Sequence, residues 1–168
     1  MVLTITRVID QISKWTGLTF AWLVIPLAGV LVWEVFVRKF FSPTAWAFDI
    51  SYMLYGSHFM LVAAYTLYRG KHIRTDFFYR LWKPRTQGLV DTISYIFFFL
   101  PGMGLFLWVS LNYAYDSFLF RERYIISPWM PPIYPLKIAL SVAAGLLVLQ
   151  GISELLKSLH AALRGRWQ

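Results

Sequence analysis

The stretch TGLTFAWLVIPLAGVLVW, residues 16–33, contains no charged side chain and is dominated by large apolar residues. Three more uncharged stretches follow it, at 50–68, 92–115 and 138–153. A helix needs roughly 20 residues, rising about 1.5 Å each, to cross the hydrocarbon layer of a membrane, and each stretch reaches that length with its flanking residues. The pattern predicts an all-α integral membrane protein with a single membrane domain and four transmembrane helices, near 17–39, 48–69, 89–114 and 133–155.

The composition of the whole chain also favours a membrane protein. Of its 168 residues, 58% are hydrophobic and 14% are charged, whereas soluble domains carry about 25% charged residues. A soluble chain this short would leave too much apolar surface in water, because small domains bury a small share of their surface. Cysteine is absent, which excludes disulfides, thiolate metal sites and thiol redox chemistry.

The distribution of lysine and arginine predicts the orientation. With the N-terminus in the cytoplasm, eleven of these cations lie on the cytoplasmic side and five lie outside. Cytoplasmic loops carry such an excess of positive charge. We therefore predict a multi-pass protein with both termini in the cytoplasm.

The segments next to the predicted spans indicate helices and anchors at the membrane surface. Apolar residues at helical spacing in 1–15 predict an amphipathic interfacial helix, with Asp10 among the polar residues elsewhere on its wheel. A similar pattern in 156–168 predicts a cytoplasmic helical tail that prolongs the fourth helix. Trp15, Tyr68 and Trp82 are predicted interfacial anchors. Four prolines between residues 127 and 135 predict a rigid, extended lead-in to the fourth helix.

Glu34 and Arg38 form the first candidate site, since residues four apart share one face of a helix. The structural interpretation is an ion pair that fixes helix packing or a partner contact. The functional interpretation is a proton or substrate site, and it leads to one alternative: a small homo-oligomeric exporter with Glu34 as its coupling carboxylate. Glu34 lies near a helix end, away from the membrane midplane, which favours the structural interpretation.

His58 is the second candidate, because it is the ionisable residue nearest to a predicted membrane midplane. A second alternative function follows from it, a haem-binding membrane anchor of a redox enzyme, but no facing histidine matches its depth. A hydrogen bond between helices is the simpler prediction. Pro101, Gly102 and Gly104 interrupt the third helix; a break of this kind can line a substrate path, but close helix packing is the favoured role.

No pattern in the chain indicates an enzyme. There is no Gly-rich phosphate loop, no His-Glu-x-x-His pattern and no nucleophile with a base at motif spacing. We expect no catalytic residue, no metal ligand and no cofactor in this chain.

The stretch YRGKHIRTDFFYRLWKPR, residues 68–85, interleaves basic and aromatic side chains. Nucleic acid binding is improbable for a short loop between two membrane spans, so no nucleic acid partner is expected. Positive charge and an aromatic belt on the cytoplasmic side explain the bulk of this composition. They do not explain the core at 71–76, where an acid closes a run of cations.

Three elements together resemble one family. They are WExxxR at 33–38, RGKHIRTD at 69–76, and SPxxPxxxPLK at 127–137 leading to LLxLQG at 146–151. The chain resembles the small membrane subunit, the Q-type or DctQ-like subunit, of tripartite ATP-independent periplasmic (TRAP) transporters. Four helices with both ends inside is that family's topology, and the element at 70–76 is the most specific.

The resemblance implies a role in uptake across the bacterial inner membrane. In such systems a periplasmic binding protein captures an organic anion, often a carboxylate or sulfonate, and a large permease subunit moves it inward by a sodium-coupled elevator motion. The small subunit is similar to a scaffold that forms a heterodimer with the large one within the membrane lipids. Substrate and sodium sites are then expected in the large subunit, and no substrate-binding residue in this chain.

The resemblance also implies where partners bind. Residues at the partner interface or with a structural role are expected to be Glu34, Arg38, Gly70, His72, Arg74 and Asp76. Residues that face the binding protein from the periplasm are expected to be Trp46, Arg121, Arg123 and Trp129.

Overall fold

The computed structural model describes residues 2–70, 79 and 81–165, and their side chains from residue 4 onward. These residues are helical apart from short connections, and the one extended pairing in this part of the chain is a bridge between Arg123 and Pro132. The all-helical prediction is therefore confirmed for the described residues. The helices are α1 (Val2–Ala21), α2 (Val24–Phe40), α3 (Ala47–Tyr68), α4 (Pro84–Ser94), α5 (Leu100–Leu119) and α6 (Tyr134–Arg164).

The helices run up and down between two ends of the molecule. At the terminal end, Asp10 near the start of α1 contacts Lys157 near the end of α6. At the loop end, Asp49 in the first turn of α3 contacts Ser127 in the connection between α5 and α6. Helix α6 packs against α1, α3, α4 and α5, whereas α2 packs against α3. The first half of α1 and the last part of α6 therefore meet at one end of the bundle, and the membrane side of that end stays a prediction.

Among the described residues, three helical stretches are long and apolar enough to cross a membrane, at Thr4–Phe40, Pro84–Leu119 and Tyr134–Arg164. Helix α3 is the remaining predicted span. Its 22 residues are sufficient in length, but it carries Asp49, His58 and several tyrosines and is not among these three stretches. Its passage through the membrane stays a prediction, as does the count of four spans.

The first stretch breaks at residues 22–23. The sequence had predicted a boundary near residue 16 instead, between an interfacial helix and a span. Pro26 causes the break, because it has no N–H to donate to the carbonyl of Trp22, four residues before it. The N–H of Ile25 bonds that carbonyl instead, at 3.1 Å. Helix α1 consequently continues six residues beyond the predicted interfacial segment, and α2 begins only after the break.

A π-helical turn, Tyr95–Phe99, joins α4 to α5 just before Pro101. It brings Phe99 against Gly151 of α6, where an added Cβ would lie 2.3 Å from the ring. Gly102 and Gly104 have no atom of another element within 4 Å of such a Cβ. The prediction of close packing at these two glycines is therefore wrong within this chain. The close contact lies instead at Phe99, in the π-helical turn just before Pro101.

The connection at 120–133 is a closed loop and not the extended lead-in that its prolines predicted. The N–H of Tyr124 donates to the carbonyl of Pro131 at 2.9 Å, and the N–H of Ile133 to the carbonyl of Glu122 at 3.1 Å. These bonds fold the loop back on itself. The predicted helical tail is confirmed as far as Arg164, where α6 ends on Gly165 in the left-handed conformation.

Candidate functional site

A polar cluster at the terminal end joins α1 to α6. Asp10 Oδ1 accepts hydrogen bonds from Gln150 Nε2 at 2.9 Å, Ser153 Oγ at 2.9 Å and Lys157 Nζ at 2.8 Å. Lys157 also donates to Glu154 at 2.8 Å. Two carboxylates therefore share one ammonium group, and hydroxyl and amide donors supply the rest of their hydrogen bonds. We call these five residues the Asp10 cluster.

The α6 residues of the Asp10 cluster lie on one face of that helix, and two of them are buried. Gln150 and Ser153 are fully buried, and with Lys157 they share one face of α6 at intervals of three and four residues. Gln150 Oε1 is buried and has no hydrogen-bond partner among the described residues. Removing charges from water is costly unless they are paired. The cluster therefore ties α1 to α6 with a specific register.

The sequence analysis treated Asp10 as part of the polar side of an interfacial helix and did not connect it with α6. A signal was present in the sequence. Thr6, Asp10, Ser13 and Gly17 recur at intervals of three and four, and all but the half-buried Asp10 are buried. Small and polar residues at that spacing mark a helix contact in a membrane protein, because they allow close approach and hydrogen bonding.

Glu34 and Arg38 form the ion pair that their spacing predicted. Arg38 Nε donates to Glu34 Oε1 at 2.7 Å, and the hydroxyl of Thr44 donates to Glu34 Oε2. Glu34 is buried, whereas the side chain of Arg38 is 61% exposed. The contribution of Thr44, from the connection after α2, was not foreseen. The pair fixes the end of α2 to that connection.

Lys137, in the first turn of α6, contacts the 120–133 loop and α5 at the loop end. It donates a short hydrogen bond to Glu122, and its Nζ lies 3.5 Å from the ring centroid of Tyr113. The hydrogen bond from Lys137 lowers the pKa of Glu122 below its usual value. Asp49 accepts a short hydrogen bond from Ser127 across the loop end. Loop and helices are thus joined by polar contacts here as well.

The predicted docking residues all lie at the loop end. Arg121, Arg123 and Trp129 belong to the 120–133 loop and are exposed, and Trp46 is half-buried immediately before α3. The backbone N–H of Trp129 donates to Ser127 Oγ at 3.2 Å. The structure thus brings the docking candidates to one end of the bundle, and their role in docking stays a prediction.

The predicted interface residues of the 70–76 element are only partly described. Gly70 has φ +63°, and its N–H donates to the carbonyl of Leu67 at 3.0 Å. A glycine suits this position, because other residues are strained in the left-handed region. Gly70 therefore ends α3. His72, Arg74 and Asp76 lie outside the described residues.

The predicted anchors lie at the terminal half of the molecule. Trp15 and Trp82 are exposed, and Tyr68 is half-buried. Lys157 Nζ lies 5.5 Å from the centroid of the Tyr68 ring, which connects the end of α3 with the Asp10 cluster. Tyr68 therefore has a contact within the bundle that an anchor prediction did not include.

His58 makes the helix-to-helix hydrogen bond that the sequence predicted. Its Nδ1 donates to the carbonyl of Phe20 at 3.0 Å. That carbonyl belongs to the last turn of α1, beside the break before α2, so His58 satisfies a backbone group near the interruption. Among the described residues, no three His, Asp or Glu side chains are grouped so that they could hold a metal ion.

The lateral surface of the bundle is largely apolar and exposed. In the most apolar window of Thr4–Phe40, and in that of Pro84–Leu119, 6% of the residues are buried, against 39% in Tyr134–Arg164. Large side chains cover the outer faces of α2 and α5; they include Val32, Trp33, Phe36, Leu105, Trp108 and Val109. Apolar surface of this extent is typical of contact with lipid or with another membrane protein.

One comparison with known proteins identifies the family. Residues 27–161 match the family described as tripartite ATP-independent periplasmic transporters, DctQ component. No curated protein and no solved structure matches the chain. The match covers most of the 168 residues, from the middle of the first apolar stretch nearly to the end of α6. The chain therefore belongs to the DctQ family, the small membrane component of TRAP transporters.

Proposed function

We propose that this chain is the scaffold subunit of a sodium-coupled TRAP transporter that takes up an organic anion, a carboxylate or sulfonate, across the inner membrane. Members of the DctQ family work with a large permease and a periplasmic binding protein. In this proposal the chain forms a heterodimer with the permease, which carries the substrate and sodium sites.

The observation that carries the proposal is that buried charges are bonded inside the subunit, whereas large apolar side chains cover its exterior. The buried charged residues Glu34, Asp49 and Lys137 each bond a side chain of this chain. The half-buried Asp10 and Lys157 bond each other. Charges that are satisfied within the subunit stabilise its own packing. The exposed faces of α2 and α5 then provide a broad lateral surface for the permease and lipid.

The orientation of the scaffold rests on the excess of lysine and arginine at the terminal end. With that end in the cytoplasm, the loop end faces the periplasm and the incoming binding protein. Gly70, which ends α3, then lies on the cytoplasmic side.

Reconstitution of uptake tests the proposal. Proteoliposomes that contain the large permease of the same system, with its binding protein added outside, are compared with and without this chain. We expect uptake driven by a sodium gradient only when the chain is present. Full uptake without it would contradict an obligatory scaffold role.

Co-purification supplies the control for assembly. Affinity-tagged chain is expected to retain the large permease through detergent extraction in a fixed ratio. A reporter fused after Gln168 is expected to lie in the cytoplasm, and a periplasmic readout would overturn the orientation.

A further inference from the structure

The 120–133 loop is held in one conformation by contacts with α3. Ser127 bonds Asp49, and the ring of Tyr124 stacks near Tyr52 with centroids 6.4 Å apart. Within the same loop, Arg121 and Met130 have φ of +46° and +48°. Residues in this region are kept there only where surrounding contacts hold them. The loop therefore presents a surface with a defined shape.

This fixed loop presents two large apolar side chains outward. Ile125 is 80% exposed and Ile126 is 83% exposed, and Trp129 and Met130 beside them are also exposed. The neighbouring residues Tyr124 and Ser127 are the ones that point to α3. We call Ile125, Ile126, Trp129 and Met130 the isoleucine patch. An apolar patch on a rigid loop is typical of a protein contact, because little ordering is needed when it is covered.

The position of the loop favours a partner in the aqueous phase over the hydrocarbon layer. Asp49 and Tyr52 lie in the first turns of α3, whereas the loop itself connects the end of α5 to the start of α6. The loop thus crosses the end of the bundle. A patch on that end faces away from the lipid that surrounds the sides of α2 and α5.

The charge around the isoleucine patch indicates the chemistry of the partner. Arg121 and Arg123 are exposed, and Glu122 between them is bonded to Lys137. The rim is therefore positive. A complementary surface has an apolar recess bordered by carboxylates, because opposite potentials raise the association rate and fix the register.

We infer that the isoleucine patch is the apolar anchor through which this chain binds the periplasmic binding protein, with Arg121 and Arg123 as the steering rim. This inference rests on the proposed function and on its orientation. It assigns the main contact to Ile125 and Ile126, whereas the sequence pointed to tryptophans and arginines. Buried apolar side chains at the centre of an interface usually dominate affinity, and rim charges mainly set the association rate.

Binding to the assembled transporter tests the inference. The chain and its large permease are placed in nanodiscs, and the dissociation constant of the purified binding protein is measured. We expect the Ile125→Asp/Ile126→Asp double variant to weaken binding about tenfold or more. Leu81→Asp is the matched control, because Leu81 is 78% exposed but lies beyond the end of α3, at the terminal end. It is expected to bind as the unmodified protein does.

Both variants are also checked for co-purification with the large permease, which is expected to be unchanged. The Arg121→Gln/Arg123→Gln variant is expected to lower the association rate several-fold at low salt and to weaken its salt dependence. A dissociation constant within twofold of the unmodified value for the isoleucine variant would overturn the inference while leaving the scaffold role intact. Failure of the unmodified assembly to bind the binding protein would overturn this inference and the proposed partner together.

A fluorescent label distinguishes a protein contact from a lipid contact. The chain contains no cysteine, so Ile126→Cys gives a single labelling position before assembly with the permease. A blue shift of an environment-sensitive dye on addition of the binding protein supports the inference. Quenching by brominated lipid before that addition, with no change afterwards, would assign the patch to the membrane and overturn it.

Discussion

Helices α2 and α6 are both long and apolar, yet they have opposite surroundings. Helix α6 packs against four other helices, and its buried residues are mostly small or polar: Lys137, Ser141, Ala143, Ala144, Leu147, Gln150, Gly151, Ser153, Ser158 and Ala161. Helix α2 buries only Glu34 and Val37 and exposes its large apolar side chains. In a membrane, lipid is as apolar as leucine, so burial selects residues that pack closely or form hydrogen bonds. Apolar character therefore indicates the membrane, and small or polar character indicates the helix contact.

Removing the paired cation from each helix is expected to give the largest difference in stability between a variant of α6 and a variant of α2. Lys157→Met on α6 leaves Asp10 and Glu154 without their shared ammonium group, at a cost of about 3 kcal/mol. Arg38→Met on α2 leaves Glu34 bonded to Thr44 and removes a cation whose side chain is 61% exposed, so a smaller loss is expected. Thermal unfolding of the purified chain in detergent measures both. Equal losses in the two variants would contradict the difference between the helices.

A glycine packed against α6 and a glycine on α2 are expected to respond oppositely to substitution by alanine. A Cβ at Gly88 of α4 would lie 2.5 Å from the backbone N of Ala162 in α6, and a backbone atom cannot rotate away. Gly88→Ala is expected to destabilise the chain by about 2 kcal/mol. Gly29 of α2 has nothing within 4 Å, so Gly29→Ala is expected to stabilise it by up to about 1 kcal/mol. Unfolding midpoints that shift in the same direction would refute this contrast.

Leucines test whether the exposed face of α2 has its own role. Leu147 of α6 is buried against Ala64 and Leu67, and Leu147→Ala is expected to cost about 1–2 kcal/mol, since lipid replaces part of the lost contact. Leu31 of α2 is exposed, so Leu31→Ala is expected to leave the isolated chain unchanged. Reduced co-purification of Leu31→Ala with the large permease would identify α2 as the partner surface; unchanged recovery would assign its face to lipid.

The smallest expected effect is the pH dependence of stability that comes from the contact between Glu122 and Lys137, in the first turn of α6. Because its pKa is lowered in the folded chain, the Lys137 contact stabilises fully above about pH 4.3, the usual value for glutamate. The contribution is lost as the pH falls through the lowered pKa. Its size is below about 1 kcal/mol, because Glu122 is substantially exposed. Unfolding midpoints between pH 3 and 6, compared with Glu122→Gln, measure it; parallel curves would contradict it.

The helices themselves could be predicted well from residue order. The predicted spans place both ends of α3 and the start of α6 within a residue of their observed bounds, because apolar length is a local property. The end of α6 lies beyond the predicted span, within the predicted helical tail. The pair Glu34–Arg38 was also foreseen, since four residues on one helix are always neighbours. The break after α1 was missed, although Pro26 was visible, because a kink depends on whether neighbouring groups satisfy the freed carbonyls.

Two of the contacts that were missed join distant parts of the chain. Asp10 and Lys157 are 147 residues apart, and Ser127 and Asp49 are 78 apart. Spacing along the sequence contains no distance between two helices, so neither contact could be read from it. The glycines were misassigned for the same reason, since whether Gly102 or Gly151 lies at a contact depends on which face of its helix meets a neighbour.

The sequence by itself determined an apolar, helical, cysteine-free membrane subunit with its positive charge concentrated at one end, because length, hydropathy and charge are sums over neighbouring residues. Its motifs also determined the resemblance to the DctQ family. Only the tertiary structure decided that the polar residues of α1 face inward to α6, that α2 and α5 remain available for lipid or a partner, and that two isoleucines cap the loop end. Those outcomes depend on helix rotation and packing, which are set by contacts between residues far apart in the chain.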